Sequence, residues 1–221
     1  MKIKKLKLGS KNLQKQKEFY ADILGFEVKK IINNEITVKA GFTELVFSEE
    51  LESPKLYHYA FLIPTGSLED SIQYVESRAI DLLPLEGNKI IHFDTGRSIY
   101  FFDAEGNIAE FIERPSLNYP SKQTFGIDDV ICVNEIGLPV SNTLEISHEL
   151  MTSHNILPIN PKAWNENFCW VGDHEGAVIV VKEGRHWMPT EIPAVINDFE
   201  LGYEENNTSM TINCKSGKLL T

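Results

Sequence analysis

One order of elements occurs twice in the first half of this chain, and it constrains the fold more than any single residue does. Residues 2–9 alternate apolar and polar side chains, as a half-buried strand does. Asn12 can cap a helix over residues 13–24 that carries Phe19, Tyr20, Ile23 and Leu24 on one face. Gly25 ends it, because glycine takes up left-handed backbone just past a helix without a Cβ clash. Short strands are predicted at 26–32, 35–40 and 44–48, divided by Asn33-Asn34 and by a glycine-containing turn. The order then returns: a strand at 58–63, a break at Pro64-Thr65-Gly66, and a helix from Ser67 to Arg78 with Leu68, Ile72 and Val75 as its apolar stripe. Strands at 80–85, 89–93, 98–102 and 107–112 follow. The repeat is one of order, since the letters agree no better than apolar patterning requires.

Residues 115–122, polar and with two prolines, read as a linker. A third unit follows over 125–203: a strand within 130–140, a helix opened by Asn142 or Thr143, a hairpin of 168–172 and 177–182 about Asp173-His174-Glu175-Gly176, and a closing strand at 199–203. Residues 204–221 are rich in Asn, Ser, Thr and Lys and read as a poorly ordered tail.

The formal charge of −11 argues against a nucleic-acid surface, which needs clustered Lys and Arg to displace counterions. No apolar run is long enough to cross a bilayer, and the basic first residues alternate as a strand does, so a cytoplasmic location is expected. Cys132, Cys169 and Cys214 are widely spaced and odd in number, which fits buried reduced thiols better than a disulfide framework or a structural zinc site. No phosphate loop, HExxH or GxSxG occurs, so P-loop, zinc-protease and serine-hydrolase readings lose their usual support.

The stretch from Asp103 to Ile112 carries most of the chemistry. A polar turn, Asp103-Ala104-Glu105-Gly106-Asn107, delivers Glu110 into the middle of an otherwise apolar strand. An ionised carboxylate taken from water without compensation costs several kcal/mol or raises its pKa, so such a residue usually meets a metal, a base or a substrate proton.

At these residues the chain resembles the vicinal oxygen chelate superfamily of glyoxalases, extradiol ring-cleaving dioxygenases and bleomycin-resistance proteins. The likeness rests on the tandem modules, on Phe19-Tyr20-x-x-Ile23-Leu24-Gly25-Phe26 at the end of the first helix, and on Tyr100-Phe101-Phe102-Asp103-x-Glu105-Gly106-Asn107-x-x-Glu110 at the close of the second module. It covers residues 1–114 by motif and the third unit by pattern alone. Ala104 stands where the family has proline, and Phe111 where it has leucine.

The resemblance implies an α+β fold of βαβββ modules, with modules 1–50 and 56–114 paired around a cleft. It further implies a divalent ion, iron, manganese, nickel or zinc, held by first and last strands of the modules. His58 and Glu110 fall at such positions in module two, and Glu44 at the last-strand position of module one. Lys5 takes the remaining position, where an ammonium has no lone pair to offer; it could pair with Glu110 as a salt bridge in a metal-free site or hold an anionic substrate. His92, Arg97 and Tyr100 lie on second-module strands expected near the cleft, His92 as the acid-base candidate and the other two as substrate contacts.

The leading expectation is therefore a metal-dependent glyoxalase- or dioxygenase-like enzyme acting on a small molecule with vicinal oxygens. The alternatives are a metal-free binding protein of the bleomycin-resistance type and a scaffold built on a decayed site. The third unit exposes a sheet face with no fourth module expected to meet it, so it should fold back on the first pair or form a homodimer through that face. The run Gly184-Arg185-His186-Trp187-Met188-Pro189 joins donors to an aromatic face; its plainer reading is a loop over the core of the third unit.

Overall fold

The structure is a computed structural model that describes residues 1–32, 34–50, 56–122 and 124–220. Asn33 of the first expected turn lies outside them. Among the described residues its α+β architecture consists of two mixed seven-stranded sheets with three α-helices, a π-helical stretch and two short 3₁₀ turns.

The first module comprises β1 (Lys2–Ser10), helix α1 (Leu13–Lys17) and strands β2 (Val28–Ile32), β3 (Glu35–Ala40) and β4 (Thr43–Glu49). Asn12 caps α1 by accepting a hydrogen bond from the amide of Lys15. The helix then widens into a π-helical stretch, Glu18–Ile23, which buries Phe19 and Tyr20 but leaves Ile23 exposed, off the face on which the 3.6-residue period places it. The second module comprises β5 (His58–Ile63), α2 (Leu68–Glu76), β6 (Ile91–Phe93), β7 (Gly96–Phe102) and β8 (Ile108–Glu113). Residues 80–85, read above as a strand, supply only single bridges at Leu82 and Leu85.

In both modules the first strand pairs in parallel with the last, β1 with β4 and β5 with β8. The third unit repeats this with β9 (Cys132–Val140), α3 (Thr143–Thr152), β10 (Phe168–Gly172) and β11 (Ala177–Lys182), where β9 runs parallel to β11. Residues 199–220 form an antiparallel meander of β12 (Phe199–Glu205), β13 (Thr208–Lys215) and β14 (Lys218–Leu220). The stretch expected to be a loose tail is thus two strands of a sheet, with Ile212 and Cys214 buried in the core.

The modules do not pair as expected. The first sheet runs β14-β13-β12-β1-β4-β3-β2, and the second β10-β11-β9-β5-β8-β7-β6. Module one therefore joins the C-terminal meander through antiparallel β1 and β12, while module two joins the third unit through antiparallel β5 and β9. The third unit thus folds back on module two of the same chain, the other arrangement expected of it.

One apolar core lies between the sheets. Leu6, Leu8 and Phe47 meet Tyr59, Phe61, Phe111 and Ile136 there, with Tyr20, Leu68 and Leu150 from the three helical segments. The Asp103 turn pins the modules together. The buried Asp103 carboxylate accepts from Tyr59 Oη at 2.8 Å, Gln16 Nε2 at 2.7 Å and Asn107 Nδ2 at 2.7 Å, and also from the amides of Glu105 and Asn107. The motif that closes module two thus has a structural duty: its aspartate ties the β7–β8 turn to the helix of module one. The three cysteines are buried and unpaired, as expected of reduced thiols.

Candidate functional site

Strand alternation leaves each sheet a face turned away from the shared core. On the second sheet this face carries His58, Ala60 and Leu62 from β5, Ser98 and Tyr100 from β7, and Glu110 and Ile112 from β8. Residue Ala60 is in register with Glu110, which makes His58 its diagonal neighbour across the parallel pair. The ring nitrogen His58 Nε2 lies 3.0 Å from Glu110 Oε2. The other Glu110 oxygen accepts from Ser98 Oγ, and the carboxylate is 2 % exposed. Tyr100 is in register with Glu110 on β7 and meets the His58 ring edge-on, with centroids 6.0 Å apart. Burial first, and then the neighbouring Glu110 charge, push its phenol well above the usual range.

Strand β9 brings a second carboxylate. Its register against β5 slips between Ala60 and Phe61, which face Glu135 and Val133, so Asn134 is the extra residue of a bulge. The bulge turns Asn134 and Glu135 toward one partner, Arg114, just past β8. The Arg114 guanidinium is 2 % exposed, donates from Nε to Asn134 Oδ1 at 2.9 Å and from Nη1 to Thr95 Oγ1 at 2.8 Å, and pairs through Nη2 with Glu135. It also lies 4.9 Å over the Trp170 ring. Burial pushes the Glu135 carboxyl up; Arg114 works against this, and the Glu110 charge adds to it.

These groups line a cavity of about 450 Å³. Its walls are aromatic, from Phe93, Tyr100, Phe168, Trp170 and Trp187. Trp187 belongs to residues 183–198, which connect the second sheet to the first, and stands edge-on to His58 with centroids 5.0 Å apart. Its seat exists because position 137 is glycine: a Cβ there would lie 2.5 Å from the Trp187 ring. The 184–189 run accordingly covers this cleft. Arg185 stacks on Phe168 at 5.4 Å and has no carboxylate within ion-pair distance among the described residues. Three buried polar atoms on this lining lack a hydrogen-bond partner: His58 Nδ1, Trp170 Nε1 and Trp187 Nε1.

Of the residues proposed from sequence, the structure brings together His58, Glu110 and Tyr100. The others stand elsewhere. Glu44 is on the first sheet, exposed and 4.0 Å from Lys29. Lys5, in register with Glu44, forms an ion pair with Glu200 at 2.7 Å. Arg97 bridges Glu113 and Glu69 on the helix side of the second sheet, and His92 is exposed on the edge strand β6 beside a separate shallow groove. Of the expected set of His58, Glu110 and Glu44, the structure does not bring Glu44 to the other two: it lies exposed on the first sheet, beside Lys29. Glu135 and Arg114 were missed, and Arg185 was marked only as part of the 184–189 run. Glu135 had the signal that singled out Glu110, a lone carboxylate within an apolar strand; Arg114 had none, being the last residue before a stretch that reads as linker.

The donor set does not fit a divalent ion as it stands. Catalytic sites usually offer three protein ligands. Here His58 and Glu110 bond each other, Glu135 is engaged by a guanidinium, and no group of three metal-binding side chains occurs among the described residues. No helix among those residues is long and apolar enough to cross a membrane.

No family model and no curated protein matches the chain. Solved structures do. A dioxygenase candidate from Bacillus subtilis subsp. subtilis str. 168 aligns over 99 % of this chain and 68 % of its own length, with a TM-score of 0.59 at 13 % identity. A lactoylglutathione lyase from Agrobacterium tumefaciens aligns over 50 % of this chain and 92 % of its own, with a TM-score of 0.43 at 20 % identity. A glyoxalase/bleomycin resistance protein/dioxygenase from Nocardioides aligns over 55 % and 89 %, with a TM-score of 0.44 at 16 % identity.

Proposed function

For a chain with the vicinal oxygen chelate fold, we propose that the covered cleft of the second sheet binds a small planar anion and exchanges a proton with it, without a metal ion. The observation that carries this reading is the His58–Glu110 pair at the base of an aromatic cavity, with His58 Nδ1 buried and unpartnered. A buried polar atom without a partner costs about 1–3 kcal/mol, which a ligand supplying that partner would recover. Glu110, itself held by Ser98, fixes the imidazole through Nε2 and stabilises the imidazolium that forms when Nδ1 takes a proton. Flat aromatic walls favour a planar molecule, and Arg185, lacking a carboxylate of its own, favours a negative charge on it. The two unpartnered indole N–H groups would donate to its oxygens.

Phenylpyruvate is a suitable probe, being anionic, equipped with neighbouring oxygens and flat in the enol form that loss of a C3 proton gives. Wild-type protein should bind it and catalyse exchange of its C3 hydrogens for deuterium from D₂O, read by proton NMR. His58→Ala should lose the exchange, and Arg185→Ala should weaken binding by roughly tenfold. Binding that survives in His58→Ala, with exchange equally slow in both proteins, would instead support the binding-only alternative. Neither binding nor exchange in the wild type would overturn the proposal.

A further inference from the structure

We propose that Arg114 is the resident cation of this cleft and takes the electrostatic part that a divalent ion would play. A guanidinium has five N–H donors in a fixed plane. Three of those on Arg114 are taken up, by Asn134 at 2.9 Å, by Thr95 at 2.8 Å and by Glu135. Two remain, one on each terminal nitrogen, on a side chain that lines the cavity. Arg114 therefore pairs with one of the three acids on the lining, Asp94, Glu110 and Glu135, and still presents donors to an oxygen of a bound molecule, a use for which a fixed guanidinium is suited. The local fold is arranged around this group. The β9 bulge turns two consecutive residues toward it, and Trp170 covers its face. Removing Arg114 would leave Glu135 buried without its cation, beside His58 and Glu110, with which it interacts electrostatically. As they stand these three side chains are not a metal-ligating group, and losing Arg114 would free Glu135 from its guanidinium and remove the positive charge that repels a cation.

The donation to a bound oxygen rests on the proposed ligand; the charge substitution does not, and its test uses metal alone. Calorimetric titration with Mn²⁺, Ni²⁺ and Zn²⁺ separately would compare wild type, Arg114→Met and Arg114→Met/His58→Ala. Wild type should take up no ion in the cleft. Arg114→Met should bind on the order of a hundredfold more tightly, since a unit charge a few ångströms away is removed, and the double variant should return to the wild-type level. One equivalent of ion in the wild type, lost in His58→Ala, would overturn the proposal. So would a folded Arg114→Met that binds no better than wild type. Should Arg114→Met not fold, the wild-type titration decides alone: one His58-dependent equivalent overturns the proposal, and none sustains it. Phenylpyruvate exchange is read separately, so failure of the ligand reading and failure of this one are distinguishable.

Discussion

The outer faces of the two sheets are built on the same strand plan and have opposite chemistry. In the first sheet Lys5 is in register with Glu44; in the second, Ala60 holds the equivalent place opposite Glu110. The first face is wet. Lys5 pairs with Glu200, Lys7 with Glu35 and Lys29 with Glu44, all with partly exposed side chains. On the second, Glu110 and Arg114 are each only 2 % exposed, beneath Trp187 and Trp170. Strand order alone therefore does not make a site. The difference comes from what covers the sheet, residues 183–198 in one case and solvent in the other. Surface ion pairs contribute about 0–1 kcal/mol, whereas breaking a buried pair from one side costs about 3–5 kcal/mol.

The largest contrast should come from removing one cation on each face. Arg114→Ala leaves Glu135, Asn134 and Thr95 without their partner at a buried position and should lower stability by about 3–5 kcal/mol in urea denaturation. Lys5→Ala should change it by less than about 1 kcal/mol. Equal effects would break the comparison.

Next comes the cover itself. A Cβ at Gly137 would meet the Trp187 ring at 2.5 Å, and one at Gly202 on the first sheet would meet Lys5 Cβ at 3.2 Å. Gly137→Ala should therefore displace Trp187, lowering stability by about 1–3 kcal/mol and increasing quenching of tryptophan fluorescence by acrylamide. Gly202→Ala should do less on both counts, because a 3.2 Å contact needs only a few tenths of an ångström of relief whereas 2.5 Å forces the ring to move. An unchanged quenching constant in Gly137→Ala would remove Trp187 as the cover of the cleft.

This contrast also explains what could be read in the sequence and what could not. The order of strands and helices was legible, because apolar periodicity and the Gly25 and Asp103–Asn107 stops are local signals. His58 and Glu110 could be placed as neighbours because both lie in one module. Module pairing was not legible: β1 and β5 are each followed by a strand that could have been their partner, and only the β1–β12 and β5–β9 ladders decide between them. Arg114 and Glu135 stayed hidden for the same reason. They come from different modules and meet only once β5 and β9 are side by side, with a bulge that no residue of β9 announces.

The third test uses pH, and the two faces should give opposite signs. On the second sheet, burial holds the Glu135 carboxyl above its ordinary value, with Arg114, Glu110 and His58 as the charged and titratable groups acting on it. The folded state then keeps a proton that the unfolded chain releases, so this group's contribution is fully present below the unfolded pKa and is lost as pH rises through the folded one. Glu135→Gln removes the titration. The stability of the variant relative to wild type should therefore rise with pH above the ordinary glutamate range, followed by urea denaturation at a series of pH values. A flat difference would mean that Glu135 is ionised without cost.

The smallest effect belongs to Glu35 on the first sheet, where the hydrogen bond from Lys7 lowers the carboxyl pKa against a weaker opposing push from burial. Here the folded state releases its proton more readily than the unfolded chain. The stabilisation is present above the unfolded pKa and is lost as pH falls through the folded one, the reverse of Glu135. Its size is limited because both side chains are about one-third exposed, 32 % for Lys7 and 35 % for Glu35, so water and salt screen the pair. Lys7→Ala should cost less than about 1 kcal/mol at neutral pH and low salt, and nothing measurable in acid or in roughly 1 M salt. A loss that persisted in high salt would show Lys7 acting through the packing of its alkyl stem, and the outer face of the first sheet would then be less simply a solvated one than its ion pairs suggest.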